Sequence, residues 1–365
     1  MMAATYQILL GGAPAGADFL AGLASLEVEE NLEMPSAFSM RLPVGRDERG
    51  DLTNLGDSRF APFANVAVVV TPDGQLPQCI FDGYVLSHKV HLEPGAAASS
   101  VEVWGEDASW LMNLEQKVKE WVDVSDASVA ATIFGDYDIA PALANLEDDS
   151  PSHVEAKHSL MQRASDIQFL RMLARRSGKL CWVACTSLPG LRTGYFVRPA
   201  VDGPEAATLS MQLSDGNVDA LDFTWEVNRP SVVRAHQKMF DSADENGVGG
   251  ETTDSGLPLL ADRDLATFAG ETMSVVLTTA CDDAGELTAR AQSLLREAGW
   301  FVRCRGEAEL ARVNAVLRPG TVVRVNGAGA IHSGKYFVWS VRHSISVTSH
   351  RMSFELVRNS VGEPA

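Results

Sequence analysis

The sequence predicts an α+β fold that is mainly β, with strands at both ends of the chain and helices in the middle. Apolar residues alternate with polar ones over the first hundred residues, and again over the last fifty. Between about residues 109 and 200 the apolar period changes to that of a helix. The chain has 365 residues, 45% of them hydrophobic, which suits two or three domains with a sizeable core.

Residues 1–108 are predicted to form the first β region. Apolar residues occupy alternate positions at Leu26 and Val28 and again from Phe38 to Leu42, and Val66–Val70 is a more buried run. A strand near residues 80–85 contains Gly83. We expect the glycine because this strand must bend sharply.

Residues 109–200 are predicted to form an α/β middle region that begins with a short helix. Ser125 is a candidate N-cap, and Gly135 is the expected end of this helix.

A second helix is predicted to begin at Ser165. The run from Ser165 to Gln168 has the pattern of a capping box, in which the two side chains bond to free backbone N–H groups. Gly178 is its expected C-terminal stop. The helix is assigned to packing, and its buried face comprises Phe169, Leu170, Leu173 and Ala174.

Residues 201–235 are predicted to be strands that link to a second β region, and residues 236–310 an acidic loop followed by a helix. The stretch 241–258 is polar and Gly-rich, as in a mobile surface loop. Asp282 and Asp283 are expected to cap the helix, which ends at Gly299.

Residues 311–365 are predicted to be a small antiparallel meander. Pro319 and Gly320 open it, and Gly334 closes the Gly-rich turn between its first two strands. The strands are expected at 321–325, 335–343 and 351–357. A meander this short is not stable alone, so it must pack on the rest of the chain.

Charge and cysteine content limit the functional classes. The formal net charge of −18 opposes binding to nucleic-acid phosphates or anionic membranes as a general mode. Five cysteines, an odd number in a long chain, do not suggest a disulfide framework and favour a reducing compartment. The first residues lack the basic start of a signal peptide, so we expect assembly in the cytoplasm.

Motifs for chemistry are weak, and we predict no catalytic residue, no cofactor and no metal site. Gly329 to Lys335 fits the start of a P-loop, but Tyr336 stands where a hydroxyl should bind Mg²⁺, and a strand follows instead of a helix. Cys181 and Cys185 fall on one side of a strand and are interpreted as small core residues. The histidines are scattered. Two carboxylates brought together by folding would leave no motif, so a hydrolase stays open as the third alternative.

Three stretches follow one another along the chain: FDGYVLSHKV from residue 81, QRASDIQFLRMLARRSGKL from residue 162 and LRPGTVVRVNGAG from residue 317. In this order they resemble the phage late control D family, which forms the hub of contractile tails, and its VgrG spike relatives. The resemblance implies two small antiparallel tube-type β-barrels with the α/β region inserted between them. It also implies a homotrimer that forms a pseudo-sixfold ring.

The same resemblance implies partners and a location. The ring would join a hexameric tail tube, or a tube-initiator protein, to a separate trimeric spike and would contact other baseplate components. No specific nucleic acid and no membrane insertion are expected. The particle would be assembled in the bacterial cytoplasm and end in a virion tail or injection-particle baseplate. A carbohydrate- or protein-binding β module is the second interpretation.

Overall fold

The structure is a computed structural model that describes residues 5–94, 99–141, 143–148, 152–154, 159–212, 214, 216–237, 248–279, 284–346 and 348–364. It is mainly β, as predicted, and its largest sheet has 13 strands.

The first part of the chain contributes six strands of that sheet and one short hairpin partner. They are β1 (Thr5–Leu10), β2 (Ala13–Pro14), β3 (Ser25–Asn31), β4 (Ala37–Pro43), β5 (Asn65–Thr71), β6 (Gln78–His91) and β7 (Ser100–Asp107), with the helix α1 (Ala17–Gly22) after β2. In space the six run β3–β4–β7–β6–β5–β1, with every neighbouring pair antiparallel. We call these six strands the first unit.

The middle region alternates strands and helices. Its elements are β8 (Gln116–Trp121), α2 (Asp126–Asp136), β9 (Leu160–Ser165), α3 (Asp166–Arg176), β10 (Leu180–Cys185) and β11 (Arg192–Val197). Strands β8 and β9 pair with each other, as do β10 and β11. Ser125 caps α2 as predicted, accepting a hydrogen bond from the backbone N–H of Ser128. The expected stop at Gly135 is one residue short, because α2 continues to Asp136.

The last part of the chain completes the main sheet and adds a small three-stranded sheet. Its strands are β12 (Glu205–Ser210), β13 (Ala220–Trp225), β14 (Val232–Gln237), β15 (Val248–Thr252), β16 (Ala261–Arg263), β17 (Ser274–Leu277), β18 (Val302–Glu309), β19 (Val322–Asn326), β20 (Gly334–Ile345), β21 (His350–Arg358) and β22 (Val361–Pro364). Its helices are α4 (Leu265–Ala269), α5 (Ala284–Ala298), α6 (Leu310–Val313) and α7 (Gly329–His332).

The closing meander is confirmed, because β19 pairs with β20 and β20 with β21, all antiparallel. The predicted loop at 241–258 is wrong for residues 248–252 and confirmed for residues 253–258, which have no helix or strand. Residues 248–252 form β15, whose Glu251 carboxylate binds the Nε of Arg234 on β14, 2.7 Å away. Residues 241–247 and the expected caps Asp282 and Asp283 lie outside the described residues.

The strand order of the first unit occurs a second time. Strands β13–β18–β21–β20–β19–β12 lie side by side, and we call them the second unit. If the six strands of each unit are numbered in chain order, their spatial order in both units is second, third, sixth, fifth, fourth, first. One pairing differs: the first and fourth strands are antiparallel in the first unit and parallel in the second.

Two local irregularities occur at matching places in both units. The fifth strand of each has a register shift against the sixth, at Leu86 in β6 and at Trp339 in β20. A shift of this kind bends a strand and strengthens its twist. The units therefore share this irregularity as well as their topology.

The loop before the fourth strand also matches. The backbone N–H groups of Phe63 and Gly320 donate to the carbonyls of Val85 and Val338, which are equivalent positions. Both donors have positive φ, +69° at Phe63 and +83° at Gly320. This left-handed conformation is the physical reason for a glycine at 320.

The units are joined directly, and among the described strands no closed barrel is found. β3 of the first unit pairs antiparallel with β20 of the second, from Asn31 opposite Ser340 to Leu26 opposite Ile345. The expectation of two separate tube-type barrels is therefore not confirmed.

The structure shows a steric reason for Gly83 beside the expected bend. Its φ is not positive, and β6 has register shifts on either side of it, at Ile80 against β5 and at Leu86 against β7. A Cβ at position 83 would collide with the carbonyl of Glu106 and the ring of Phe81. The glycine is required by this close approach of β7.

Candidate assembly site

The structure does not bring the residues singled out in the sequence together at one place. Gly83 lies in the first unit. The helix that begins after Ser165 lies in the middle region, with Gly178 at its end. Pro319 and Gly320 lie just before β19, and Gly334 lies at the start of β20, in the second unit. The apolar face of α3 is buried: Phe169, Leu170 and Leu173 are each at most 1% exposed. Pro319 directly precedes the left-handed Gly320 and opens the turn into β19.

Two of these glycines make room for arginines. Gly178 has φ of +63°, and a Cβ there would lie 2.9 Å from Ser293 Cα of α5 and 2.7 Å from an Arg296 guanidinium nitrogen. Gly334 has φ of +129°, and a Cβ there would lie 2.8 Å from a guanidinium nitrogen of Arg358. The buried Arg358 donates to backbone carbonyls, including those of Ser333 and Gly362, each 3.1 Å away. Sequence reasoning missed this role.

The predicted capping box at Ser165 is wrong in its bonding. Ser165 is the N-cap residue of α3, but its side chain makes no cap hydrogen bond. Its hydroxyl instead donates to Asn113 Oδ1, 2.6 Å away. Asp166, in the first turn, accepts from Lys117 Nζ, the Tyr137 hydroxyl and the Gln162 amide. These bonds tie α3 to the strands before it.

We expect Ser165→Ala to lower the free energy of unfolding by about 0.5–1.5 kcal/mol, because one hydrogen bond to Asn113 is lost. Asn113→Ala should cause a loss in the same range, and the double variant should lose less than the sum of the two. Urea unfolding followed by circular dichroism measures all three. If the loss of unfolding free energy in the double variant equalled the sum of the two single losses, the hydrogen bond between Ser165 and Asn113 would not stabilise the protein.

A partly buried arginine joins three parts of the chain. The Arg318 guanidinium lies 2.7 Å from the Glu30 carboxylate on β3. It also donates to the carbonyl of Cys79 on β6 at 3.0 Å and to that of Cys185 on β10 at 2.7 Å. The first unit, the middle region and the segment that opens β19 therefore meet at one side chain.

A pair of histidines extends this cluster. Glu30 Oε2 lies 3.4 Å from Nε2 of His343, which is fully buried. Nδ1 of His343 lies 3.0 Å from Nε2 of His350. Burial, and then the neighbouring His343, lowers the pKa of His350 from 6.5 to about 3. The sequence interpretation of scattered histidines missed this pairing of residues from two adjacent strands.

The protein should become less stable as the pH falls below about 6.5. Unfolded His350 would take up a proton there, whereas the folded protein resists protonation down to a pKa of about 3. Stability is therefore lost progressively between these two values as the pH drops. Thermal unfolding at pH 7.5 and pH 5 measures the change, and His350→Gln should make the profile flatter. His236→Gln, at an exposed position, is the control and should leave the slope unchanged. If the slope of His350→Gln were also unchanged, the assignment would be wrong.

A disulfide joins Cys79 of β6 to Cys185 of β10, whose Cα atoms are 5.6 Å apart. The interpretation of Cys185 as an unbonded core residue is therefore wrong, and the chain forms this one disulfide although its cysteine content did not suggest a disulfide framework. The two residues are 106 positions apart and only folding brings them together. Cys181 is free and buried, which raises the pKa of its thiol to about 12.

A cleft of about 1050 Å³ lies beside Arg318, between the β10–β11 hairpin and the second unit. Trp182 and Tyr195 stack there with ring centroids 4.2 Å apart. Two ion pairs line it, Glu30 with Arg318 and Glu147 with Arg198. The arrangement offers aromatic and hydrogen-bonding surface rather than a reactive group.

Other candidate sites gain no support within the described ranges. No group of three or more His, Cys, Asp or Glu side chains there could hold a metal ion. No helix in those ranges has the length and apolar character needed to cross a membrane. The segment resembling a P-loop forms the single-turn helix α7, where the sequence predicted only a Gly-rich turn. It then enters β20, as the sequence predicted.

The main sheet ends in exposed strand edges that carry apolar side chains. In the described part of the chain β13 pairs only with β18, and Trp225 on it is 53% exposed. Among the residues that the structure describes, the outer half of β6 likewise pairs only with β7, and its Val90 is 42% exposed. Phe63, beside that half, is 60% exposed. Open edges with apolar side chains are typical of assembly surfaces.

Comparison with known families identifies the chain. A family model described as the Alg8 N-terminal domain matches residues 2–347. The chain belongs to the Alg8 N-terminal domain family. The match does not name the late control D family, so that finer assignment stays a proposal. A sequence search of the curated proteins found no match.

Solved structures show that this member of the Alg8 N-terminal domain family shares its fold with tail proteins. The 43 kDa tail protein of prophage MuSo2 from Shewanella oneidensis is 13% identical, with a TM-score of 0.69 over 98% of this chain and 99% of that one. The tail protein from Neisseria meningitidis MC58 is 15% identical, with a TM-score of 0.67 over 98% and 97%.

A third similar structure is the E. coli c3393 protein, described as a component of the type VI secretion system that resembles T4 bacteriophage tail proteins gp27 and gp5. It is 13% identical, with a TM-score of 0.55 over 94% of this chain and 76% of that one. At these identities the likeness establishes the fold.

Proposed function

We propose that the protein is the structural baseplate hub of a contractile tail or injection machine. One observation carries the proposal: a chain with the fold of tail proteins contains the same six-stranded unit twice. Three copies arranged in a ring would present six similar units. Such a ring could match a sixfold tube on one side and a threefold spike on the other.

The proposed partners follow from this geometry. They are two further copies of the chain, a tail tube or tube-initiator protein, a separate spike protein and other baseplate components. Assembly would take place in the bacterial cytoplasm and the final location would be the virion tail or the baseplate of an injection particle. The proposed role is structural. The late control D family is the finer assignment that we propose, with residues 1–108 as the first hub region and residues 109–200 as the middle domain.

Deletion of the gene tests this function in the organism that makes the particle. We expect no assembled tails, with tube and spike proteins accumulating separately, and rescue by the wild-type gene. The protein should also co-purify with intact particles. Particles that assemble normally, without this protein and at wild-type yield, would contradict a hub role.

A carbohydrate- or protein-binding module is the second candidate, favoured by the aromatic cleft at Trp182 and Tyr195. Under that function an isolated monomer would bind glycan or peptide, and Tyr195→Ala would abolish the binding. Calorimetric titration with glycan fragments distinguishes the two candidates. A hub should give no heat of binding there and should still enter particles as the Tyr195→Ala variant.

A further inference from the structure

Within one chain, a complete junction of paired strands joins the two units. The chain also exposes the two strand edges from which a second junction of the same kind could form. Within the chain, the second strand of the first unit, β3, pairs with the outer half of the fifth strand of the second unit, β20. The corresponding strands of the opposite units are β13 and the outer half of β6. Within the described residues neither has a partner on that side.

We propose that β13 of one copy pairs antiparallel with residues 87–92 of β6 and its continuation in a second copy, repeating the β3–β20 junction between chains. The proposal rests on the ring proposed above and specifies how its copies bind. Addition of a strand to an open edge satisfies the backbone N–H and C=O groups of both strands. Repetition head to tail around a threefold axis leaves none of these edges open.

The repeated register fixes which residues face each other. The shifts at Leu86 and Trp339 place Lys89 of β6 at the position of Arg342 in β20. Pairing with the third strand of each unit places Thr224 of β13 at the position of Glu29 in β3. Because Arg342 lies opposite Glu29 inside the chain, Lys89 should lie opposite Thr224 of the second copy.

The burial of apolar residues supports this register. At the internal junction His343 is fully buried and Ile345 is 2% exposed. Their counterparts in the first unit are Val90, 42% exposed, and Leu92, 53% exposed. The first unit thus exposes apolar side chains at the two positions that the second unit buries. The proposed pairing places Phe223 of the second copy opposite Val90.

The charges also fit. Inside the chain Arg342 binds the Glu29 carboxylate 2.6 Å away. In the proposed junction His91 lies opposite Asp222, and Lys89 has Asp222 and Glu226 as its diagonal neighbours. Opposite charges on neighbouring strands stabilise a pair, whereas like charges would oppose it.

A difference between the two units at equivalent positions explains why Trp225 and Phe63 are exposed. Glu30, which binds Arg318 inside the chain, corresponds to Trp225 in the second unit. Arg318 lies two residues before Gly320, so its counterpart lies two residues before Phe63 and is Ala61. The ion pair of the internal junction is therefore replaced by Trp225 packed on Ala61 and Phe63. These contacts would cover the 53% and 60% exposure of the two aromatic side chains.

A pair of engineered cysteines tests the register. In Lys89→Cys/Thr224→Cys, directly opposed Cβ atoms should be close enough for a disulfide. We expect mild oxidation to give a covalent species of three chains on a non-reducing gel, reversed by reductant. In the control Lys89→Cys/Ala220→Cys the second cysteine lies on the same face but four residues away, about 13 Å along the strand. It should remain at the mass of one chain, as should each single variant.

The outcomes separate this inference from the proposed function. A trimer in solution whose Lys89→Cys/Thr224→Cys variant does not cross-link would overturn the strand pairing and leave the hub standing. Cross-links that stop at two chains would overturn the head-to-tail ring. A protein that stays monomeric at every concentration and is absent from particles would overturn both.

A substitution without cysteines gives an independent readout. Trp225→Asp should weaken self-association at least about tenfold, because a charge would replace the ring at the centre of the contact. Val118→Asp on β8, at a position 80% exposed and outside the proposed junction, is the matched control. Unchanged self-association of folded Trp225→Asp, verified by circular dichroism, would contradict the proposal.

Discussion

Arg318→Ala should lower the free energy of unfolding by about 3–5 kcal/mol, because it leaves the buried Glu30 carboxylate without its partner. Glu30 is only 5% exposed. The change also removes the donor to the carbonyls of Cys79 and Cys185, which are held from two other segments. Equilibrium unfolding in urea measures the loss.

Arg342→Ala is the matched control. Arg342 of β20 binds the carboxylate of Glu29, which directly precedes Glu30 on β3 and is more exposed. An exposed pair of this kind contributes about 0–1 kcal/mol. If Arg318→Ala cost no more than Arg342→Ala, the role of Arg318 as the link between the two units and the middle region would be wrong.

Leu173→Ala should lower the free energy of unfolding by about 2–5 kcal/mol, because it creates a cavity beneath α3. Leu173 is fully buried in the core of the middle region, together with Leu170 and Phe169. Thermal and urea unfolding both report this loss. The fraction of protein that enters assembled particles should fall with it.

Met172→Ala on the same helix is the control. Its side chain is 51% exposed, so the change should stay within about 0.5 kcal/mol. Equal effects of the two substitutions would show that the buried face of α3 has been assigned incorrectly.

Local patterns predicted elements well. The closing strands and α3 follow from alternation and helical periodicity in contiguous residues, and both are present. The bonding of Ser165 did not follow, because its partner Asn113 lies 52 positions earlier in the chain. The Ser165 hydroxyl bonds to this distant partner instead of capping its own helix, and inspection of the sequence does not reveal such a partner.

Contacts between distant segments account for most of what sequence reasoning missed. The Cys79–Cys185 disulfide and the Arg318–Glu30 pair join positions 106 and 288 apart. The repeated unit was also missed, since only spatial strand order and register make it visible. Leu26 and Leu221 occupy equivalent positions, as do Glu27 and Asp222, but so few matches do not reveal a repeat by inspection.

The candidate site shows the same division. Pro319 and Gly320 were singled out as the start of the last meander, and the structure places the missed Arg318 directly before them. The exposed edge of β13 could be recognised only once its neighbours were known. Its alternation of Leu221 and Phe223 with polar residues predicts a strand and gives no indication of which strand lies beside it.

Electron cryomicroscopy of the assembled baseplate would show the arrangement of the chains. We expect one ring of three chains, each 39.2 kDa, with six similar lobes and with the sheet continuous between neighbouring chains. A ring of another copy number, or three chains whose two units do not occupy alternating equivalent positions around the axis, would contradict it.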